Sequence, residues 1–144
     1  MITRAWLLVL VLMVASGLAS CVSAVPLPPG IKIVPPTGGM PTRWAAFSGK
    51  WTGWWEDGIE HVLVVEEVRE TEALVIYGWG PSPSRSFDAG WRREHGTFEG
   101  ESLVLRLPRP AVVSYRLRPD GKLEGWYIWN GGVSRAVLVK DTPR

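Results

Sequence analysis

Residues 102–117 have the sequence SLVLRLPRPAVVSYRL, and this stretch decides the fold of the chain. Large apolar residues occupy every second position on both sides of Pro108-Arg109-Pro110. A period of two is typical of half-buried antiparallel strands, and the proline-containing turn between the two halves predicts a hairpin. The stretch therefore predicts two neighbouring strands of an antiparallel sheet.

Similar segments lie on both sides of this hairpin, separated by turn sequences such as Asp57-Gly58 and Gly131-Gly132. Gly in such pairs supplies the positive φ that tight hairpins require. Eight strands are predicted, at residues 48–56, 59–69, 73–79, 91–98, 102–107, 111–118, 122–130 and 133–140. Short consecutive hairpins predict an all-β meander, and about eight antiparallel strands can close into a barrel. A β-sandwich and a half-open barrel are the alternatives.

The first predicted strand begins with FSGKWT at residues 47–52. This start resembles that of the calycins, the lipocalin and avidin group. The resemblance implies that Trp51 closes one end of the barrel, that Gly49 lets the chain pass beneath the indole, and that a late arginine, here Arg135, packs across that ring. The chain lacks the Thr-Asp-Tyr motif of lipocalins, and Gly53 stands where avidins have a biotin-contacting Asn, so biotin is not expected.

The N-terminal sequence predicts an exported, lipid-anchored protein. LASC at residues 18–21 follows a short apolar run behind Arg4 and contains the one cysteine of the chain. It resembles the lipobox of bacterial lipoproteins, which implies cleavage before Cys21 and acylation of its thiol with fatty chains such as palmitate. Such a protein is attached to a membrane of the bacterial cell envelope, and Val22 favours the periplasmic face of the outer membrane in a Gram-negative cell. The alternative is an ordinary secretory signal cut near Ala24.

Three segments follow from these patterns: a signal peptide at residues 1–20, a lipidated tether at 21–46 and a β-barrel domain at 47–144. Prolines recur along the tether and remove backbone donors, which predicts a semi-extended spacer. The alternative is an arm wrapped on the barrel and packed through Ile31, Ile33 and Val34.

The net charge and the titratable residues limit the classes of function to be expected. The net charge of +2 comes from interspersed residues without a basic run, so no nucleic-acid partner is expected. His61 and His95 are the two histidines, and no catalytic constellation, metal site or cofactor is predicted from their surroundings. We therefore expect a protein that is not an enzyme.

Aromatic residues are abundant, with nine tryptophans in the chain. Alternation along the predicted strands allows one set of rings to line a cavity for a small apolar or aromatic ligand or a sugar ring. This set is Trp55, Tyr77, Trp79, Trp91, Tyr115, Tyr127 and Trp129. In the alternative, the rings fill the core, and the protein is a structural or interaction module that docks an envelope protein or glycan through the outward-facing Trp54 and Trp126.

Overall fold

Eight antiparallel strands form a closed barrel in the computed structural model, which describes residues 23–82 and 84–142. The strands are β1 (Gly49–Trp55), β2 (Glu60–Arg69), β3 (Glu72–Trp79), β4 (Gly90–Glu99), β5 (Ser102–Leu107), β6 (Ala111–Leu117), β7 (Leu123–Trp129) and β8 (Gly132–Lys140). Each strand pairs with the next, and β1 pairs with β8. The predicted all-β meander barrel is confirmed. The predicted signal peptide and Cys21 lie outside the described residues.

The ladder between β4 and β5 is the shortest in the barrel. The β4–β5 ladder runs only from Gly96 to Glu99, whereas β3 pairs with β4 from Glu72 to Trp79. β5 ends at Leu107, where the chain turns through two prolines that donate no backbone hydrogen bond. The first half of β4 therefore lies next to β3 alone.

Inward-facing side chains fill the barrel. Leu63, Leu103, Leu105, Leu123 and Leu138 are fully buried. The space beside Gly125 is also occupied, because a Cβ built there would lie 3.2 Å from the Tyr115 ring and 3.4 Å from the Trp55 ring. The rings therefore complete a packed core instead of surrounding a wide cavity.

One end of the barrel, here called the closed end, is covered by a short helix, α1 (Thr42–Ala45). The Trp44 indole stacks on Phe98 at a ring separation of 5.0 Å and donates a hydrogen bond to the Gly100 carbonyl. Phe47 packs edge-on against the same Phe98 ring. Across residues 23–82 and 84–142, no helix is long and apolar enough to cross a bilayer.

Residues 23–34, here called the arm, lie against the outside of β2 and β3. Val25 is buried with Val62, Val64 and Ile76, and the Val34 N–H donates to the Glu66 carbonyl at 2.7 Å. This placement differs from a spacer standing away from the domain. The outer faces of β2 and β3 carry apolar side chains that need a cover, and a proline-rich strap can supply it with few backbone donors to satisfy.

Candidate functional site

Aromatic rings gather at the end of the barrel opposite α1, here called the aromatic end. Six of the seven predicted ligand-binding residues meet there: Trp55, Tyr77, Trp79, Tyr115, Tyr127 and Trp129. The Tyr77–Trp79, Trp55–Tyr127 and Tyr127–Trp129 ring centroids are 6.0, 6.0 and 5.7 Å apart. These are distances at which aromatic pairs attract, so Tyr77 and Trp79 form one half of a ring cluster and Trp55, Tyr127 and Trp129 form the other.

His61 joins the two halves of this cluster. Its ring centroid lies 5.0 Å from that of Trp55, 4.7 Å from that of Tyr77 and 5.9 Å from that of Tyr115. Sequence analysis did not place His61 in the site. The signal was present in the period of two along β2, where His61, Leu63 and Val65 pair with Gly53, Trp51 and Gly49 and so share the inner face.

Two hydrogen bonds fix the protonation of His61. Its Nδ1 lies 2.7 Å from the Gly78 carbonyl oxygen, which can only accept, so Nδ1 carries the proton. Nε2 then accepts from the Tyr115 hydroxyl, also at 2.7 Å. Complete burial lowers the pKa of His61 to about 4, and the bond to Gly78 only partly opposes this effect. Burial likewise raises the pKa values of Tyr77 and Tyr115, so the cluster is uncharged at neutral pH.

Trp79 and Trp129 mark the mouth of the aromatic end, where both indoles are half-buried. The Trp79 ring covers Gly90, where a Cβ would lie 2.5 Å from the nearest ring atom, and its N–H donates to the Asp88 carbonyl. Trp129 folds over Gly131 in the same way. Glycine is therefore required at both positions so that an indole can lie flat on the backbone.

The mouth also carries charge, on the side where β4 has no β5 neighbour. Arg92 pairs with Tyr77 in the β3–β4 ladder, which places it on the inner face, yet it is exposed. Its Nε donates to the half-buried Glu94 carboxylate at 2.8 Å. The short β4–β5 ladder thus leaves a polar opening beside the aromatic rings.

Ser134 supplies a hydroxyl without a hydrogen-bond partner. It is 8% exposed and lies opposite Tyr127 in the β7–β8 ladder, so it faces the aromatic cluster. Its Oγ is buried and makes no hydrogen bond within the described chain. Native proteins rarely leave such a group unsatisfied.

The seventh predicted ligand-binding residue, Trp91, is not in the site. It pairs with Gly78, whose free side faces Val25 of the arm, so Trp91 points to the outer surface and is 39% exposed. The placement of Trp91 in the cavity was wrong. The register of β4 against β3 determines which side chains of β4 face inward. Arg92 pairs with the inward-facing Tyr77, so the adjacent Trp91 faces outward.

Three residues were expected to close the other end of the barrel: Gly49, Trp51 and Arg135. Trp51 is buried at 1% exposure, and its indole donates to the Phe47 carbonyl at 2.8 Å. Gly49 has φ of 120°, and a Cβ there would lie 2.8 Å from Cε of Lys140. Trp51 is thus buried near the closed end, whereas the side chain that lies against Gly49 is Lys140 and not the Trp51 indole.

Arg135 does not pack across Trp51. It pairs with Trp126 on the outer face and is exposed. The cation above the Trp51 ring is Lys140, whose Nζ lies 5.1 Å from the ring centroid. The expectation for Arg135 was wrong because Lys140, and not Arg135, pairs with Trp51 in the β1–β8 ladder.

Two shallow depressions lie on the outside of the barrel. One is a shallow groove between Trp54, Arg135 and Val137. Trp54 is 61% exposed, and Trp126 also lies on this outer face.

The two histidines of the chain lie on different strands, His61 on β2 and His95 on β4. Within residues 23–82 and 84–142, no three His, Cys, Asp or Glu side chains are close enough to hold a metal ion. His95 is exposed and pairs with Leu74, away from His61.

Comparisons with protein-family profiles, with curated proteins and with solved structures gave no significant match.

Proposed function

We propose that this protein is a lipid-anchored protein of the bacterial cell envelope that binds a small apolar or aromatic ligand at the aromatic end of its barrel. The observation that carries the proposal is the continuous ring cluster that ends in two half-buried indoles, Trp79 and Trp129. Large rings at a barrel mouth offer apolar area with little side-chain entropy to lose.

Polar groups at the same mouth support a ligand with one polar substituent. Arg92 and Glu94 border the opening, and the unpartnered Ser134 hydroxyl lies beside Tyr127. Because Trp55 and Tyr115 already fill the interior, the ligand would cover the outer rings instead of entering a deep cavity. A flat aromatic molecule or the apolar face of a sugar ring fits this arrangement best.

The anchoring part of the proposal rests on the sequence LASC at residues 18–21 and its resemblance to a lipobox. Two or three acyl chains on Cys21 would give stable membrane attachment, because each buried methylene contributes about 0.8 kcal/mol. Mass spectrometry of the N-terminal peptide tests this part directly. A peptide that starts at Cys21 and carries acyl mass is expected, and an unmodified Cys21 in the membrane-extracted protein would contradict it.

Ligand binding is tested with N-phenyl-1-naphthylamine, an uncharged aromatic probe whose fluorescence rises in apolar surroundings. We expect saturable binding that Trp79→Ala and Trp129→Ala weaken, since both remove rings from the mouth. Trp54→Ala and Trp91→Ala are matched controls, because those rings lie on the outer face. Absence of saturable binding, or equal loss in all four variants, would overturn the proposal.

A second candidate function is docking of an envelope protein on the outer face of β1 and β8. The observation in its favour is the groove beside Trp54, where the 61% exposed indole lies across from Val137 in the β1–β8 ladder. A photo-crosslinking residue at position 54 should then give one defined protein adduct in cells, lost on Val137→Asp and retained on Trp129→Ala. A glycan adduct, or none, would rule out a protein partner at this face.

A further inference from the structure

The described chain begins at the aromatic end. The Ser23 hydroxyl and the Ala24 N–H both donate to the carboxylate of Glu60, the first residue of β2. The Glu60 carbonyl accepts from the Gly80 N–H, at the point where the chain leaves β3 beside Trp79. These hydrogen bonds fix the start of the arm at the rim of the mouth.

From there the arm runs along the barrel to the opposite end. Val25 packs on Val62 and Ile76, Val34 binds Glu66 farther along β2, and Trp44 covers Phe98 at the closed end. The arm and α1 together span the height of the barrel, and the N-terminal end of the arm is the end nearest the aromatic mouth. A lipid on the preceding residues would be attached at this end.

The distance between lipid and barrel is short. Cys21 precedes Ser23 by two residues, and an extended chain advances at most about 3.6 Å per residue, so about 7 Å separates their Cα atoms at most. An acyl group on Cys21 therefore leaves the aromatic end no room to stand far from the bilayer surface.

Exposed apolar side chains surround the same end. Five of the eight exposed large hydrophobic residues of the described chain lie in, or within two residues of, the turns of this end: Trp54, Phe87, Trp91, Ile128 and Val133. Charged residues occur in the turns of both ends, for example Asp57 and Arg85 at the aromatic end. The closed-end turns, which carry Glu70, Glu101, Asp120 and Lys122, have no exposed large apolar side chain beside them among the described residues. Aromatic residues are favoured at the boundary between lipid headgroups and acyl chains.

We propose that the aromatic end of the barrel lies directly on the lipid bilayer, with Phe87 and Trp91 in the headgroup region and the mouth between Trp79 and Trp129 turned toward the membrane. The proposal rests on the acylated Cys21 of the proposed function. It also specifies that function, because a mouth in this position receives its ligand from the bilayer. The ligand class is then an apolar molecule that partitions into membranes.

The test uses the full chain, processed and acylated in a bacterial host and reconstituted into vesicles of phosphatidylethanolamine and phosphatidylglycerol. Acylation blocks Cys21, so a cysteine introduced by Phe87→Cys provides the one free thiol for an environment-sensitive nitrobenzoxadiazole label. Lys122→Cys, at the closed end, is the matched control. We expect brominated phospholipid to quench the label at position 87 several-fold more strongly than the label at position 122.

A third variant tests the role of the arm. Glu60→Gln combined with Ser23→Ala weakens the bonds that hold the arm at the rim, and we expect the difference in quenching between the two labelled positions to shrink while the protein stays in the vesicle fraction. Circular dichroism of each labelled variant confirms that the sheet is intact.

The outcomes separate the two proposals. Equal quenching at positions 87 and 122 in an acylated, vesicle-bound protein overturns the orientation and leaves the anchor in place. An unacylated protein that does not associate with vesicles removes the basis of both the anchor and the orientation. Loss of naphthylamine binding in detergent, with the quenching difference retained, would refute only the ligand site.

Discussion

The ammonium of Lys140 lies 5.1 Å from the centroid of the Trp51 indole and donates a hydrogen bond to the Ala46 carbonyl at 3.2 Å. Lys140 is the last residue of β8, and Trp51 lies on β1, so the contact joins the two strands that close the barrel. Partial burial lowers the pKa of Lys140. The Trp51 ring therefore lies against an ammonium group that is partly removed from water.

Replacing Lys140 by Met should destabilise the barrel, because Met keeps an unbranched apolar stem but loses the cation–π contact and the hydrogen bond. The two together are worth about 1–2 kcal/mol of unfolding free energy. Urea unfolding followed by circular dichroism measures this loss. Lys122→Met, in the exposed turn after β6, is the control and should leave the midpoint unchanged. Equal midpoints for the Lys140→Met variant and the unmodified protein would refute the contribution of the contact.

The strand pattern was predictable because it is local. Alternation along residues 51–55 placed Trp51 and Trp55 on one face and Trp54 on the other, and the structure has this arrangement. Every predicted strand boundary lies within one residue of the observed one. Turn residues and period-two alternation act over a few positions, so a single sequence carries them.

Contacts between strands were less predictable. The errors at Trp91 and Arg135 both concern which residue faces which across a ladder, and a shift of one position reverses the face. In the β2–β3 pair, the register shifts between Val65 and Glu67. No local sequence pattern predicts this irregularity. The wrapped arm was only the alternative prediction for a related reason, since its prolines indicate extension but not the apolar strip of Val62 and Ile76 on which it lies.

Stability should depend on pH through His61. The pKa of His61 is about 4 in the folded protein against 6.5 for the ordinary side chain, so between these values the unfolded chain binds the extra proton. Unfolding free energy therefore rises with pH from about 4 to 6.5, and the contribution is fully present above 6.5. At about 1.4 kcal/mol per pKa unit, the effect reaches about 3 kcal/mol.

Unfolding in urea at pH 4.5 and pH 7.5 measures this dependence. His61→Gln cannot titrate and should show a smaller difference in unfolding free energy between the two pH values than the unmodified protein. His95→Gln, on an exposed side chain, should retain the full difference. If His61→Gln and the unmodified protein lose the same free energy on acidification, carboxylates and not His61 account for the pH effect.

Gly78 should be essential for seating the arm. A Cβ at this position would lie 2.7 Å from Cγ1 of Val25, so Gly78→Ala must displace the arm or strain the sheet. Overpacking of this kind costs about 1–3 kcal/mol. Gly38→Ala is the matched control, because no atom lies within 4 Å of its added Cβ.

Hydrogen exchange distinguishes the two ways in which Gly78→Ala could act. If the arm is displaced, the Val34 N–H, which donates to Glu66, should exchange faster while the amides of β6 and β7 stay protected. Protection of Val34 equal to that in the Gly38→Ala variant would show that the arm tolerates the added methyl group.

Ser134→Ala should stabilise the protein and weaken ligand binding together. The Ser134 hydroxyl is buried without a hydrogen-bond partner, and removing an unsatisfied buried hydroxyl gains about 1 kcal/mol of unfolding free energy. A ligand that donates to or accepts from this hydroxyl would lose that bond in the variant.

Ser48→Ala, at another buried serine, is the control for a general effect of removing a hydroxyl group. The measurements are the urea midpoint and the affinity for a naphthol probe, which carries a hydroxyl, compared with naphthalene, which has none. A stabilised Ser134→Ala variant that binds both probes as the unmodified protein does would show that the orphaned hydroxyl has no part in binding.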